Sequence, residues 1–373
     1  MISALIRFYI WLPWLAFAVS VAAFVLPARL RLRTKIIWIL VLALCCAKFV
    51  VFSTWGKSPY YPELPLAVVL GWTTASLAVA ILAVLSLLWW VRRGREIALP
   101  TLAAVLAIGG LWSGIHSPGV REVELTFPNL PAALEGYRIV QISDIHASYC
   151  MRRERTQDIV AAANACAPDL ICLTGDLVDG SPEKVGAFLE PIKDLRAKDG
   201  VWAITGNHEY FENLNPHGPW QALYDEWGIR FLANTCTCPK PGLAVAGVND
   251  PQVERRKEPQ DDPFFRRPDV AQAFATATNG EFRVLLAHRP TNARANFEQH
   301  GVDLQLSGHS HGGSLPLIAS LIAKDCDGYV SGLYRFGNRV LYVNNGAGQT
   351  AAFPFRFFTP SEITCFTLRR RAD

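Results

Sequence analysis

Residues 170–179 read Leu-Ile-Cys-Leu-Thr-Gly-Asp-Leu-Val-Asp, an apolar run of strand length that is followed by a glycine and two aspartates. Short apolar runs bounded by turn residues predict buried β-strands. Loops at the carboxyl ends of strands are where α/β sheets place their functional groups. The stretch therefore predicts a layered α/β domain with Asp176 and Asp179 at the functional edge of a sheet.

Four further predicted strands end in side chains that commonly bind metals. Tyr137–Ile142 is followed by Asp144 and His146, Val201–Ile204 by Asn207, His208 and Glu209, Phe282–Ala287 by His288, and Leu304–Leu306 by His309 and His311. Asp144 and His146 are two residues apart, as are His309 and His311. Side chains at i and i+2 of an extended backbone point the same way, so we expect each pair to converge on one ion.

Alternating strand and helix patterns extend on both sides of these clusters and favour a layered α/β domain. The other predicted strands are Glu122–Phe127, Leu243–Val248, Val340–Val343 and Ile363–Leu368. The predicted helices are Arg153–Ala165, Pro182–Ala197, Trp220–Trp227 and Val270–Ala277. The charged, proline-bounded segment Pro251–Pro268 predicts a long surface loop.

The histidine distribution favours a metal centre. The chain has eight histidines, and five of them lie in the five clusters. One histidine at a strand end is more often structural than a ligand, but five together with aspartates and an asparagine are typical of a metal site. Mixed imidazole and carboxylate ligands suit Mn, Fe or Zn and disfavour Ca.

The order of these motifs resembles the calcineurin-like metallophosphoesterase superfamily. Asp-x-His, Gly-Asp-x-x-Asp, Gly-Asn-His-Glu, a lone His and Gly-His-x-His follow one another within residues 138–313. The tail, in Tyr329–Tyr334 and Pro360–Thr364, is similar to a membrane-linked bacterial branch that includes YkuE and YaeI. The resemblance implies a four-layer α/β/β/α sandwich over residues 137–373 and a phosphoesterase activity.

The same resemblance implies a role for each motif residue. One metal would be held by Asp144, His146, Asp176 and His311, and a second by Asp176, Asn207, His288 and His309. Asp176 would bridge the two ions, which would clamp the phosphate and activate a water for in-line attack on phosphorus. His208 would stabilise or protonate the leaving oxygen, and Asp179 would orient that histidine.

Neighbouring residues have less specific interpretations. We interpret Glu209 as a support for its turn and the Asn249-Asp250 pair as a brace of the site. Arg289 follows His288, and both a phosphate contact and a structural or solvent-exposed role remain open for it.

The first third of the chain differs from the rest in charge and hydropathy. Residues 1–116 contain 10 of the 36 basic residues and 2 of the 32 acidic ones, so the remainder is mildly acidic. A helix needs about 20 apolar residues to cross a bilayer. Four segments meet this criterion and predict a transmembrane region over residues 1–116, with helices at about 8–26, 36–53, 64–91 and 97–115.

Charge in the short loops predicts the orientation. Basic residues are concentrated in the first loop (Arg29, Arg31, Arg33, Lys35) and the third (Arg92, Arg93, Arg95). Cytoplasmic loops carry the excess of Lys and Arg. We therefore predict an integral protein of a bacterial cell membrane, with residues 117–136 as linker and first strand and an extracytoplasmic catalytic domain.

Two functional hypotheses follow from these patterns. The first is a hydrolase of a phosphomonoester, phosphodiester or pyrophosphate, with a phospholipid or lipid-linked substrate suggested by the membrane helices. The second is a binding or sensing protein that uses the same fold as a scaffold without catalysis. The acidic C-terminal part argues against bulk nucleic-acid binding. The nine scattered cysteines contain no Cys-x-x-Cys, which argues against a thiolate zinc site.

Overall fold

The structure is a computed structural model that describes residues 2–56, 63–88, 95–210, 219–255, 261–278, 280–314, 319–349 and 353–371. The chain divides into two compact units. The first runs to Ile115 and includes a short segment that ends at Phe355, and the second contains the remainder from His116 onward.

The described part of the first unit is helical. Its helices are α1 (Ile2–Ser20), α2 (Leu32–Cys46), α3 (Lys48–Thr54), α4 (Leu66–Leu88) and α5 (Arg95–Ile115). A π-helical turn, Val21–Val25, follows α1 directly. The unit has its own apolar cluster, in which Phe24, Leu42, Val79 and Leu82 are buried.

These helices support fewer membrane spans than the four predicted. Leu66–Leu88 and Glu96–Ile115 are long and apolar enough to cross a bilayer, and α2 with α3 would form a third span that bends by 46°. The predicted second span is therefore interrupted, at Ala47. In the place of the first predicted span lies the apolar helix Trp11–Val25, which is not one of these candidate spans over the residues whose side chains are described. The predicted third span extends past Leu88 to residues outside the described ranges.

The second unit contains two six-stranded mixed sheets. Sheet one has the order β1-β12-β2-β3-β4-β5, and sheet two has the order β10-β11-β9-β8-β7-β6. The strands are β1 Gly119–Phe127, β2 Arg138–Ile142, β3 Leu170–Thr174, β4 Val201–Ile204, β5 Ile229–Phe231, β6 Thr235–Lys240, β7 Leu243–Gly247, β8 Phe282–Leu286, β9 Leu304–Ser307, β10 Gly332–Phe336, β11 Arg339–Val343 and β12 Glu362–Arg370.

Parallel pairing brings the motif loops to one edge of each sheet. Strands β2 to β5 are parallel in sheet one, and β7, β8, β9 and β11 are parallel in sheet two. Every loop that carries a predicted ligand follows one of these parallel strands, which confirms the expected location at carboxyl ends.

Three apolar clusters show the layer order. The middle cluster joins the inner faces of the two sheets, for example Ile139 and Leu170 of sheet one with Val284 and Leu306 of sheet two. The outer cluster of sheet one contains helical residues such as Ile159. The outer cluster of sheet two contains helical residues as well, among them Phe297. These layers are the α/β/β/α sandwich that the resemblance implied.

The helices of this unit differ in part from the sequence prediction. They are α6 Arg153–Ala165, α7 Pro182–Leu189, α8 Pro219–Glu226, α9 Val270–Ala273, α10 Ala293–His300 and α11 Ala319–Asp325. Helix α7 is shorter than predicted because a 3-10 helix with a proline, Glu190–Asp194, follows it. Strands β5, β6 and β10 and helices α10 and α11 were not predicted.

The segment Pro251–Pro268 is more ordered than the predicted surface loop, over its described residues. It contains two 3-10 helices, Pro251–Arg255 and Pro263–Phe265. Val253 and Phe265 are buried together with Tyr210 in a small apolar cluster. The prediction of a surface loop was wrong for these residues. The many charged residues of the segment suggested full exposure, although its few apolar side chains are buried and anchor it.

Candidate metal centre

The loops that carry the predicted ligands have an unusual backbone. Asp144, His146, Asp176, His309 and His311 all have positive φ, between 47° and 69°. Non-glycine residues in this left-handed region cost on the order of 1–3 kcal/mol each, and such strain is concentrated at functional sites. The prediction of an extended backbone for the Asp144/His146 and His309/His311 pairs is therefore wrong.

Two motif glycines allow the loops to approach closely. A Cβ on Gly308 would lie 2.0 Å from Ser143 Oγ and 2.3 Å from Asp144 Oδ2. A Cβ on Gly206 would lie 2.3 Å from Asp176 Oδ1. Any side chain at these two positions would collide with a predicted ligand or its neighbour, so the glycines are required by packing.

One group of predicted ligands consists of Asp144, His146 and His311. The Nε2 atoms of His146 and His311 are 3.2 Å apart, and His311 Nε2 is 3.4 Å from Asp144 Oδ1. One donor atom from each of the three residues lies within 4.8 Å of the others. These three buried side chains could hold one ion.

A second group consists of Asp176, His288 and His309. His309 Nδ1 is 3.3 Å from His288 Nε2, and His288 Nε2 is 3.2 Å from Asp176 Oδ2. His309 and His311 therefore belong to different groups, and only the Asp144/His146 pair converges as its spacing predicted.

Asp176 lies between the two groups. Its Oδ2 is 3.2 Å from His288 Nε2 and 3.7 Å from His146 Nε2. Its Oδ1 instead accepts a hydrogen bond from the backbone N–H of His208, at 2.8 Å. A single carboxylate oxygen of Asp176 therefore faces both groups.

A buried polar atom of the predicted ligand Asn207 fits a bound cation. The buried Oδ1 of Asn207 has no hydrogen-bond partner among the described residues. Buried acceptors without partners are costly, and an amide oxygen is a suitable ligand for a divalent ion. The donor set of imidazole, carboxylate and amide groups suits a transition metal such as Mn, Fe or Zn.

The charge of the site also favours cations. Burial lowers the pKa of His288, but Asp176, Asp144 and Asp250 outweigh it and raise that pKa to about 10. Burial likewise opposes protonation of His146, yet Asp179, Asp176 and Asp144 raise its pKa to about 9. The carboxylates therefore favour positive charge beside these two histidines, whereas burial lowers the pKa of His309 and His311.

Asp179 contacts two imidazoles of the centre, those of His146 and His208. Its Oδ1 is 2.7 Å from His208 Nδ1 and 2.8 Å from His146 Nδ1. These are hydrogen-bond distances, so we assign the group His146, Asp179 and His208 as a hydrogen-bonded triad rather than a third ion site. The predicted contact of Asp179 with His208 is present, and the contact with His146 was not foreseen.

Glu209 supports its turn, as predicted. This buried carboxylate accepts hydrogen bonds from the backbone N–H groups of Gly206 at 2.6 Å, Leu177 at 2.7 Å and Asp176 at 3.1 Å. Burial and the charge of Asp176 raise the pKa of Glu209 to about 7 against the effect of these hydrogen bonds. Glu209 thereby connects the β3 and β4 loops behind the second group.

Arg289 is held by carboxylates at the edge of the centre. Its Nε donates to Asp250 Oδ2 at 2.9 Å, and its Nη1 is 3.4 Å from Asp325 Oδ2. The same Asp325 oxygen is 3.7 Å from His309 Nε2. Asp250 is buried and braces the site as predicted, while the bracing role of Asp325 was missed because α11 was not predicted.

Arg356 is a second residue that the sequence analysis missed. It is 1% exposed and donates to the carbonyls of Asn345, Gly346 and Gly348 at 2.7–3.1 Å. The N–H of Gly348 in turn donates to the carbonyl of Asp144 at 3.1 Å. Arg356 therefore fixes the loop after β11 against the strained β2 loop. The sequence did offer one signal for this loop, because it follows β11, another parallel strand, as the ligand loops follow theirs.

Comparison with known proteins agrees with this geometry. The family model of the calcineurin-like phosphoesterases matches residues 137–313. The metallophosphoesterase YkuE of Bacillus subtilis is 32% identical over 247 residues, which cover 64% of this chain and 82% of that protein. The chain therefore belongs to the calcineurin-like phosphoesterase family.

Two other relatives extend the comparison. An uncharacterised metallophosphoesterase of Helicobacter pylori is 32% identical over 260 residues, or 69% of this chain. A zebrafish (Danio rerio) protein named transmembrane protein with metallophosphoesterase domain is 31% identical over 278 residues, or 72% of this chain. The chain spans 66% of the length of the first relative and 61% of the second.

Proposed function

We propose that this chain is a membrane-anchored phosphoesterase that uses two divalent metal ions. The substrate would be a phosphomonoester, a phosphodiester or a pyrophosphate, and the membrane helices favour a phospholipid or a lipid-linked phosphate. Mn, Fe and Zn are the metals that the donor set favours. The observation that carries the proposal is the Asp176 carboxylate, whose Oδ2 lies 3.2 Å from one histidine group and 3.7 Å from the other.

Each group has its own ligands in this proposal. Asp144, His146 and His311 would hold the first ion, and Asn207, His288 and His309 would hold the second, with Asp176 shared. Two such ions, when bound, neutralise phosphate oxygens and lower the pKa of a water between them. The carboxylates of Asp144 and Asp176 would supply the negative charge that holds both ions in a buried site.

His208 would act on the leaving oxygen. Its Nδ1 bonds to Asp179 Oδ1 at 2.7 Å, so Nε2 is the nitrogen that can donate a proton to the substrate. Its side chain is 14% exposed, which leaves access from solvent. Asp179 fixes the tautomer and the ring orientation, as carboxylate partners of catalytic histidines do.

The membrane part of the proposal is supported by the helical unit. Two helices are long enough to cross a bilayer, and the bent α2–α3 pair would be a third. The zebrafish relative, by its name, is a transmembrane protein. We propose a bacterial cell membrane location with the catalytic unit outside the cytoplasm, and a fourth span at the position of α1.

A hydrolysis assay tests the proposal. The full chain is purified in detergent and loaded with Mn, and turnover of bis(p-nitrophenyl) phosphate, p-nitrophenyl phosphate and phosphatidate is measured beside metal content. We expect two ions per chain and hydrolysis of at least one substrate. The Asp176→Asn variant should lose both properties.

The matched control is Asp194→Asn, which changes an exposed aspartate at the end of the 3-10 helix after α7. It should keep metal and activity. Two ions without turnover of any of the three compounds would contradict the enzymatic proposal and support a scaffold protein. An alkaline phosphatase fusion at the C-terminus, active only outside the cytoplasm, tests the orientation.

A further inference from the structure

Exposed apolar side chains are rare on the described part of the second unit. Only three large ones are exposed there: Val120, Leu321 and Phe358. Leu321 is 54% exposed and Phe358 is 93% exposed. Single exposed apolar residues need no explanation. The positions of Leu321 and Phe358 relative to the metal centre, however, call for one.

Phe358 is exposed on a strained backbone. Its φ is 62°, in the left-handed region that bulky residues rarely adopt. The turn around it is fixed on both sides, because Phe357 N–H donates to the carbonyl of Ser314 at 3.2 Å and Thr359 Oγ1 donates to that of Gly312 at 3.2 Å. The structure thus holds a phenyl ring in water where a flexible turn would let it fold back.

Helix α11, which carries Leu321, lies beside the same ligand loop. None of its residues is buried. A Cβ on Gly313 would be 3.3 Å from Ala319 Cβ at the start of the helix. At its other end, Asp325 Oδ2 is 3.7 Å from His309 Nε2. Both ends of α11 therefore approach the loop that contains His309 and His311.

The segments that carry Leu321 and Phe358 both contact the turn at residues 312–314, and we call these two exposed side chains the apolar rim. That turn directly follows the predicted ligand His311. An apolar rim costs solubility unless something covers it. Aromatic rings and leucines at such positions are typical of segments that enter the interfacial layer of a bilayer.

We propose that this apolar rim dips into the surface of a lipid bilayer and presents membrane-embedded phosphate esters to the metal centre. The occupant is a bilayer because the same chain contains apolar helices long enough to cross one. Two side chains suffice, since a tethered domain does not need the rim for affinity. The inference rests on the proposed function for its substrate class, but the membrane contact itself is independent of catalysis.

Photo-cross-linking tests the contact without metal or turnover. The full chain is produced with p-benzoylphenylalanine at position 358, at position 321, or at position 298 on α10, where Glu298 is exposed and belongs to a different helix. Each protein is reconstituted into vesicles of phosphatidylethanolamine and phosphatidylglycerol, irradiated, and analysed by mass spectrometry of its peptides. Two rim positions keep the test valid if one substitution prevents folding.

We expect lipid adducts at 358 and 321 to exceed those at 298 by at least about tenfold, as the transfer of one large apolar side chain from water would give. Equal yields at all three positions, or adducts to a second protein chain instead of lipid, would overturn the proposal. The hydrolysis assay is separate. If the enzyme is active but no lipid adduct forms, only the proposed membrane contact of the apolar rim is refuted. If lipid adducts form but the protein is inactive, only the proposed phosphoesterase activity is refuted.

Discussion

Asp179 gives the sharpest test of how the centre is organised. One oxygen of its carboxylate contacts both His146 Nδ1 and His208 Nδ1, at 2.8 and 2.7 Å. The first histidine is a predicted metal ligand and the second a predicted proton donor. The substitution Asp179→Asn keeps the size of the side chain and removes its charge, so it should affect metal binding and turnover separately.

The expected falls in metal affinity and in kcat follow from these two contacts of Asp179. Loss of a carboxylate partner of a ligating histidine typically costs about 10–100-fold in metal affinity or activity. We expect affinity for the first ion to fall by that factor through His146. At saturating Mn, we expect kcat to fall by a similar factor through His208, while affinity for the second ion, away from Asp179, stays within about twofold.

A double-mutant cycle with His208→Asn separates the two effects. Metal affinity is measured by titration of metal-free protein in detergent, and kcat with bis(p-nitrophenyl) phosphate. If Asp179 acts on turnover through His208, adding Asp179→Asn to His208→Asn should not reduce kcat further, although the loss of metal affinity should persist. Fully multiplicative losses in kcat, or unchanged metal affinity in the single variant, would refute the reasoning. His300→Asn, at the end of α10, is the matched histidine control.

Three further predictions follow from the same contacts. Asp176→Asn should reduce bound metal from two ions to at most a trace, measured by mass spectrometry of the metal content, whereas retention of one tightly bound ion would contradict a shared ligand. Arg356→Lys should lower the free energy of unfolding by about 2–3 kcal/mol, because a lysine cannot reach all three carbonyls; an unchanged thermal midpoint would contradict this. The pKa of Glu209, raised to about 7 from 4.5, stabilises the metal-free protein below pH 4.5, and this contribution is lost as the pH rises to about 7. Glu209→Gln should flatten that slope of melting temperature against pH, and an identical slope would show that Glu209 does not titrate as described.

Sequence reasoning identified the candidate ligands because they follow strands with clear apolar runs. The ends of β2, β3, β4, β8 and β9 are marked by aspartate, asparagine or histidine, and after β3, β4 and β9 that residue follows a glycine. Parallel pairing of those strands then brings the ligands together. The sandwich of two sheets came from the family resemblance, because strand periodicity does not report which sheet a strand joins.

The missed features depend on contacts between distant parts of the chain. Arg356 binds carbonyls of the β11 loop, and its own neighbourhood in the sequence, rich in phenylalanine, gave no sign of a polar role. Asp325 was missed because α11 has no buried face and so lacks the apolar period that identifies a helix. The left-handed ligand loops were missed because positive φ at aspartate or histidine leaves no mark in the sequence.

The central claim is that Asp176 joins two histidine groups around a pair of ions. Electron paramagnetic resonance of the Mn-loaded full chain tests it most directly, because two Mn ions about 3.5–4 Å apart are magnetically coupled. The account predicts two Mn per chain and a coupled spectrum that disappears in Asp176→Asn. A spectrum of isolated Mn at one ion per chain, unaffected by that substitution, would contradict it.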